Sequence, residues 1–188
     1  METNEKYFLQ KIVDLGATRA EVVNVEDIEL DASFRKLCHS NECGMYGKCW
    51  MCPPDIGEID ELMKALRKFS LCFVYQTVGT LADSFDFEGM MKAKKQHFAI
   101  TQKVQQLFRS EKSSEFLLLS TGGCGVCNVC AKESGSPCRY PQSAVSSLEA
   151  YGVNVSQLAK LAGIPYSNGK NTVIYFGVVL VKKYELLR

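Results

Sequence analysis

The sequence predicts an α/β fold, one domain over residues 1–188 in which helices cover a sheet of about four strands. Three observations lead there. Runs of β-branched and aromatic residues alternate along the chain with runs of helical periodicity. Eight of the nine cysteines gather in two irregular stretches that fall between those runs rather than inside them. No internal repeat, low-complexity tract or linker-like stretch divides the chain.

The elements follow in order. Thr3 is a candidate N-cap for a helix whose Phe8, Leu9, Ile12 and Leu15 share a face, with Gly16 as its stop. Residues 20–28 are rich in β-branched side chains and read as a strand. A short helix is expected over residues 31–38, and the glycines and paired prolines of HSNECGMYGKCWMCPP then rule out regular structure. Asp55 is placed to cap a helix with Ile59, Leu62, Met63, Leu66 and Phe69 on one face. Residues 71–78 form a buried-type strand, and residues 85–112 hold a long helix striped by Ile100, Val104, Leu107 and Phe108. Residues 116–120 are a short apolar strand that runs directly into TGGCGVCNVC. Two short helices are expected near 143–151 and 156–162, closed by Gly152 and Gly163. The last strand, residues 172–181, is apolar on both faces and belongs in the middle of the sheet.

Composition narrows the function. The 188 residues are 46% hydrophobic and 23% charged, a globular balance, and the net charge of +1 lacks the basic excess of a nucleic-acid binder. The first sixteen residues contain no secretory core, and the longest apolar run, 173–181, is far below the roughly 20 residues of a membrane-spanning helix. The expectation is a cytoplasmic protein that binds neither membrane nor nucleic acid. Nothing in the pattern marks an oligomer seam. What stands out is nine cysteines against two histidines. In a reducing compartment that number points to metal or redox chemistry rather than to disulfides.

Cys124, Cys127, Cys130 and Cys138 read C-x2-C-x2-C-x7-C. Three cysteines at intervals of three can wrap a loop around a compact cluster, with the fourth ligand arriving later in the chain, as in the bacterial ferredoxin run. Gly122, Gly123 and Gly125 suit the close backbone approach that brings N–H donors to sulfur. Structural zinc prefers two separated pairs, so a four-iron, four-sulfur cluster is favoured over zinc. Cys38, Cys43, Cys49 and Cys52 form a second group of four in fifteen residues, the last pair a C-x2-C before Pro53-Pro54. They could make a second metal site, iron–sulfur or zinc, or complete the first. His39 is a reserve ligand, otherwise an exposed neighbour of Cys38. Tyr46 and Trp50 either wall a cofactor from water or anchor a loop with little core. Cys72, in LCFVY, reads as core.

These boxes resemble a family of small prokaryotic proteins described as predicted metal-binding proteins of unknown function. The resemblance is carried by Cys43 with Tyr46-Gly47, by Trp50 and Cys52-Pro53-Pro54, and by Gly123-Cys124, Cys127, Cys130 and Cys138-Arg139-Tyr140-Pro141. It continues through residues 147–155 (SLEAYGVNV) and ends at Tyr175-Phe176-Gly177, so it covers nearly the whole chain. It implies an intracellular iron–sulfur protein and no particular reaction.

Nucleotide loops, zinc-protease helices, serine-hydrolase elbows and the C-x3-C-x2-C radical run are all missing from the sequence. Lys92, Lys94, Lys95, His97, Lys103, Arg109 and Lys112 make one helical region basic, either a docking face for an acidic redox partner or a solvated helix face. Glu149 reads as a helix-surface carboxylate or as a group supporting the cluster from behind. Arg139, beside Cys138, either serves the fold or favours a reduced, more negative cluster. Three functions follow: an iron–sulfur electron carrier, a zinc-stabilised interaction module without turnover, and an enzyme with an open iron position.

Overall fold

The computed structural model describes residues 2–111 and 115–182. Helix α1 (Glu2–Asp14) leads into strand β1 (Arg19–Asn24), followed by α2 (Phe34–Ser40) and α3 (Ile59–Leu66). Strand β2 (Leu71–Thr80), the long α4 (Phe87–Ser110) and β3 (Phe116–Ser120) come next. The two-residue β4 (Ser146–Ser147), α5 (Val155–Leu161) and β5 (Thr172–Val181) complete the order. The sheet is open and mixed, in the order β1-β2-β5-β3-β4. Its first three pairings are antiparallel and the β3–β4 pairing is parallel.

Strand alternation builds two cores from one sheet. Leu71, Phe73 and Tyr75 of β2, with Val179 and Val181 of β5, pack against Phe8 and Ile12 of α1 and Ile100, Val104 and Phe108 of α4. Cys72 and Val74, with Phe176, Val178 and Leu180, face Leu66 of α3 and Leu158 and Ala159 of α5. Cys72 is fully buried, as expected of a core residue. The α4 side is closely fitted. A Cβ at Gly177 would come within 2.2 Å of the Tyr75 ring, so only glycine lets that ring cross β5.

The α/β class and the central position of β5 match the sequence expectation, and four corrections accompany them. The sheet has five strands rather than about four, because the segment expected as a helix near 143–151 instead offers Ser146–Ser147 to the free edge of β3 and then turns through a 3-10 helix at Glu149–Tyr151. Serines and a valine there favour backbone pairing over a helix. Strand β1 stops at Asn24, where Val25–Asp27 turn away as a 3-10 helix. Asp55 caps nothing: Gly57, at φ 110°, breaks the chain before α3, whose N-cap is Glu58. Thr3 already lies within α1. The long helix runs from 87 to 110, and Lys112 lies outside the described residues.

His97 is buried rather than part of a basic face. Its ring lies between those of Tyr75 and Tyr175, and its nitrogens reach the hydroxyls of Thr77 at 2.8 Å and Ser120 at 3.0 Å. Burial lowers its pKa from 6.5 to about 4, so the folded protein holds the neutral ring. A depressed pKa contributes stability above the unfolded value and loses it as pH falls through the folded one. The metal-free protein should therefore lose about 3 kcal/mol of unfolding free energy between pH 6.5 and 4. Urea titrations across that window should show this slope, and His97→Gln should flatten it.

Candidate metal centre

The second cysteine loop is fixed at its root. Thr121, which follows β3, donates its backbone N–H to the Phe176 carbonyl at 2.8 Å, and its hydroxyl exchanges hydrogen bonds with the carbonyl and N–H of the same residue. Gly122 then takes φ 86°, a left-handed turn open to glycine, and the chain leaves the sheet toward Cys124. The N–H groups of Val126 and Val145 donate to the Cys124 sulfur. This is the amide-to-sulfur arrangement that the glycines led us to expect.

The first loop turns through Gly44 and Gly47, both at positive φ, and closes with the Gly47 N–H on the Pro53 carbonyl at 2.9 Å. Within its C-x2-C, the Cys52 N–H donates to the Cys49 carbonyl at 3.0 Å. Three contacts join this loop to the segment that carries the second. Trp50 Nε1 donates to the Ser136 carbonyl at 2.9 Å. The Ser146 hydroxyl donates to the Met51 carbonyl at 2.8 Å. Lys132 forms an ion pair with Asp55 and places its ammonium 4.4 Å from the centre of the Trp50 ring. Lys132 pairs with Asp55 Oδ1, while the buried Oδ2 has no hydrogen-bond partner, so Lys132 is what makes that carboxylate tolerable there.

All nine cysteines are free thiols, and eight of them line two neighbouring cavities. One cavity is lined by Cys124, Cys127, Cys130 and Cys138, as their spacing predicts, and also by Cys49 from the first loop. The other, of about 290 Å³, is lined by Cys38, Cys43 and Cys52 together with Glu149. Met45 borders both. The first loop is thus divided between the two cavities rather than gathered around one of its own. Cys49 and Cys52 are buried, the Cys52 sulfur lies against Gly123, and the Cys49 thiol interacts with those of both Cys52 and Cys124.

These thiols hold their protons unequally. Cys52 is lowered, because the Cys49 thiol hydrogen-bonds to it, a gain larger than its burial cost. Cys49 is pushed up to about 12: contact with Cys124 lowers it, but contact with Cys52 and burial together raise it. Cys124 is raised by its contact with Cys49 and by burial, and Cys38 is raised by burial. The Glu149 carboxyl is also raised by burial. A bound cation would reverse all of these upward shifts, since metal ligation requires the thiolate.

Tyr46 borders the Glu149 cavity and Trp50 the larger thiol group, so each aromatic walls one cavity. His39 is exposed at the end of α2, with its ring 4.9 Å from that of Tyr46, and lines neither cavity. Arg139 donates to the Val129 carbonyl at 2.9 Å, which ties the end of the loop to its middle. Lys132 and Met45 have no counterpart in the sequence reading, and Asp55 entered it only as a helix cap. Only an unexplained lysine between Cys130 and Cys138 could have suggested the first. Among the described residues, no group of three His, Cys, Asp or Glu side chains is arranged to hold one metal ion, and no helix is long and apolar enough to cross a membrane.

Fold and composition together define a cysteine-rich α/β protein whose thiols gather at two neighbouring cavities. The chain belongs to the DUF2284 family, described as predicted metal-binding protein, whose model matches residues 21–181. That span includes both cysteine loops, all five strands except the first two residues of β1, and the wall between the cavities. No curated protein and no solved structure matches the chain.

Removing the Lys132 ammonium while leaving Asp55 in place should destabilise the docked loops by about 2–3 kcal/mol, since a mostly buried carboxylate loses its partner. Denaturant unfolding of Lys132→Met should show the loss. The double variant Lys132→Met/Asp55→Asn should regain most of it; a double variant as unstable as the single one would contradict this account.

Proposed function

We propose that this chain is an iron–sulfur electron carrier whose main centre is a four-iron cluster on Cys124, Cys127, Cys130 and Cys138. The observation that carries the reading is the ring of thiols around one cavity, with backbone N–H groups donating to the Cys124 sulfur. A cluster is wider than an ion and spreads its thiolates, whereas structural zinc draws four donors onto one point.

When bound, a cluster of this kind supplies reversible one-electron chemistry. The chain's own residues would set its surroundings. Trp50 and Met45 keep water from the cavity wall. Arg139, held beside Cys138 by the Val129 carbonyl, offers a fixed cation that favours the reduced state. Val129 and Tyr140 are exposed at the loop, where a redox protein partner would dock. Free thiols in this number suit a reducing, cytoplasmic setting.

Anaerobic purification with quantitation of iron, labile sulfide and zinc tests the reading. We expect a brown protein with about four irons and matching sulfide per main centre, and about eight if the neighbouring cavity is also loaded. Cys127→Ser should lose most of the iron of the main centre. Stoichiometric zinc without sulfide would overturn the proposal and leave a zinc-stabilised interaction module.

A further inference from the structure

Cys49 and Cys52 are the two ends of one tight turn, closed by the Cys52 N–H on the Cys49 carbonyl at 3.0 Å. A four-residue turn of this kind brings its end Cα atoms within about 7 Å, a separation that overlaps the span a disulfide bridges. The two thiols are also hydrogen-bonded to each other. The pair lacks the further donors that an ion requires. Among the described residues, no three His, Cys, Asp or Glu side chains are arranged around one.

The two sulfurs differ in access. Cys49 is 1% exposed and lines the cavity of the main thiol group, whose volume of about 80 Å³ is too small for a disulfide-bearing molecule. Cys52 is 8% exposed and lines the neighbouring cavity of about 290 Å³, walled by Leu37, Tyr46 and Pro53. That volume is near the lower end of small-molecule sites.

We propose that Cys49 and Cys52 are a redox-active dithiol that reduces a small aliphatic disulfide entering the Cys52 cavity. The Cys52 sulfur attacks one sulfur of the substrate. The substrate S–S bond breaks, a mixed disulfide forms on Cys52, and the first substrate thiol leaves. Cys49 then attacks the Cys52 sulfur and expels the second. The substrate gains two electrons and the two protons of the protein thiols, and the protein keeps a Cys49–Cys52 bridge. The reverse exchange with an external dithiol restores the pair. Bridging also removes Cys49 as the thiol partner of Cys124, which ties the exchange to the main thiol group.

The inference does not depend on the iron–sulfur reading, and its test keeps the two apart. The full chain, purified anaerobically with the metal it holds, is mixed with hydroxyethyl disulfide, quenched in acid, alkylated and digested with trypsin. Lys48 and Lys64 bound a peptide, residues 49–64, that contains Cys49, Cys52 and no other cysteine. The expected product is that peptide two hydrogens lighter and free of alkyl groups, while the exposed Cys43 carries a mixed disulfide. Cys49→Ser should hold half of the substrate as an adduct on Cys52, and Cys52→Ser should leave Cys49 unreacted. A wild-type peptide that stays reduced after Cys43 has reacted overturns the proposal without recourse to any variant. A bridge from Cys49 to Cys124, or a pair that reacts only after a chelator has stripped the metal, overturns it equally. A bridge formed in a chain that holds zinc without sulfide sinks the electron-carrier reading and leaves the dithiol standing.

Discussion

Strand β5 is paired along both edges and apolar on both faces, and the rest of the molecule is arranged around burying it. Ten residues register against β2 on one side, and five of them register against β3 on the other. Each face needs its own cover, which α1 and α4 supply on one side and α3 and α5 on the other. Because β3 is half the length of β5, its pairing ends at Ser120 opposite Gly177, and there the chain turns into the second cysteine loop. The buried group of His97, Thr77 and Ser120 and the three hydrogen bonds between Thr121 and Phe176 fix that exit. The loop thus begins from a fixed point, which is what a set of ligands would need in order to be preorganised.

Away from that root, the cysteine loops have little apolar core of their own. Their order comes from polar contacts with one another: Trp50 to Ser136, Ser146 to Met51, and Lys132 to both Asp55 and Trp50. These contacts couple the two cavities. A shift of the first loop moves Cys49 relative to Cys124 and Cys52 relative to Glu149 at once.

Much of the fold was legible because its signals are local. The β-branched runs at 116–120 and 172–181 and the periodicity of α4 need no knowledge of distant residues. The main thiol group was legible for the same reason, since its spacing lies within fifteen residues. What was missed is long-range. Lys132 and Asp55 are 77 positions apart, and Trp50 and Ser136 are 86 apart. Strand β4 exists only because β3 leaves an edge free, and His97 looked like one more cation until packing placed it between two tyrosines. The division of the first loop between two cavities belongs to the same class, because Cys49 and Cys52 sit on one turn and part only in three dimensions.

The proton distribution among those cysteines bears on the pH dependence of any metal uptake. Without a cation, mutual contact and burial keep Cys49, Cys124 and Cys38 protonated, while Cys52 gives up its proton most readily of these four. Thiolate is the form that binds a metal, so metal uptake at these thiols would have to displace their protons. Each ligand gained there lowers the pKa of the next thiol and releases its proton. The sign follows directly: metal uptake discharges protons, so affinity falls as pH falls. Burial, which makes these thiols reluctant to ionise, would also shield a metal bound there from water. The feature that opposes loading is thus the same one that makes the loaded state durable.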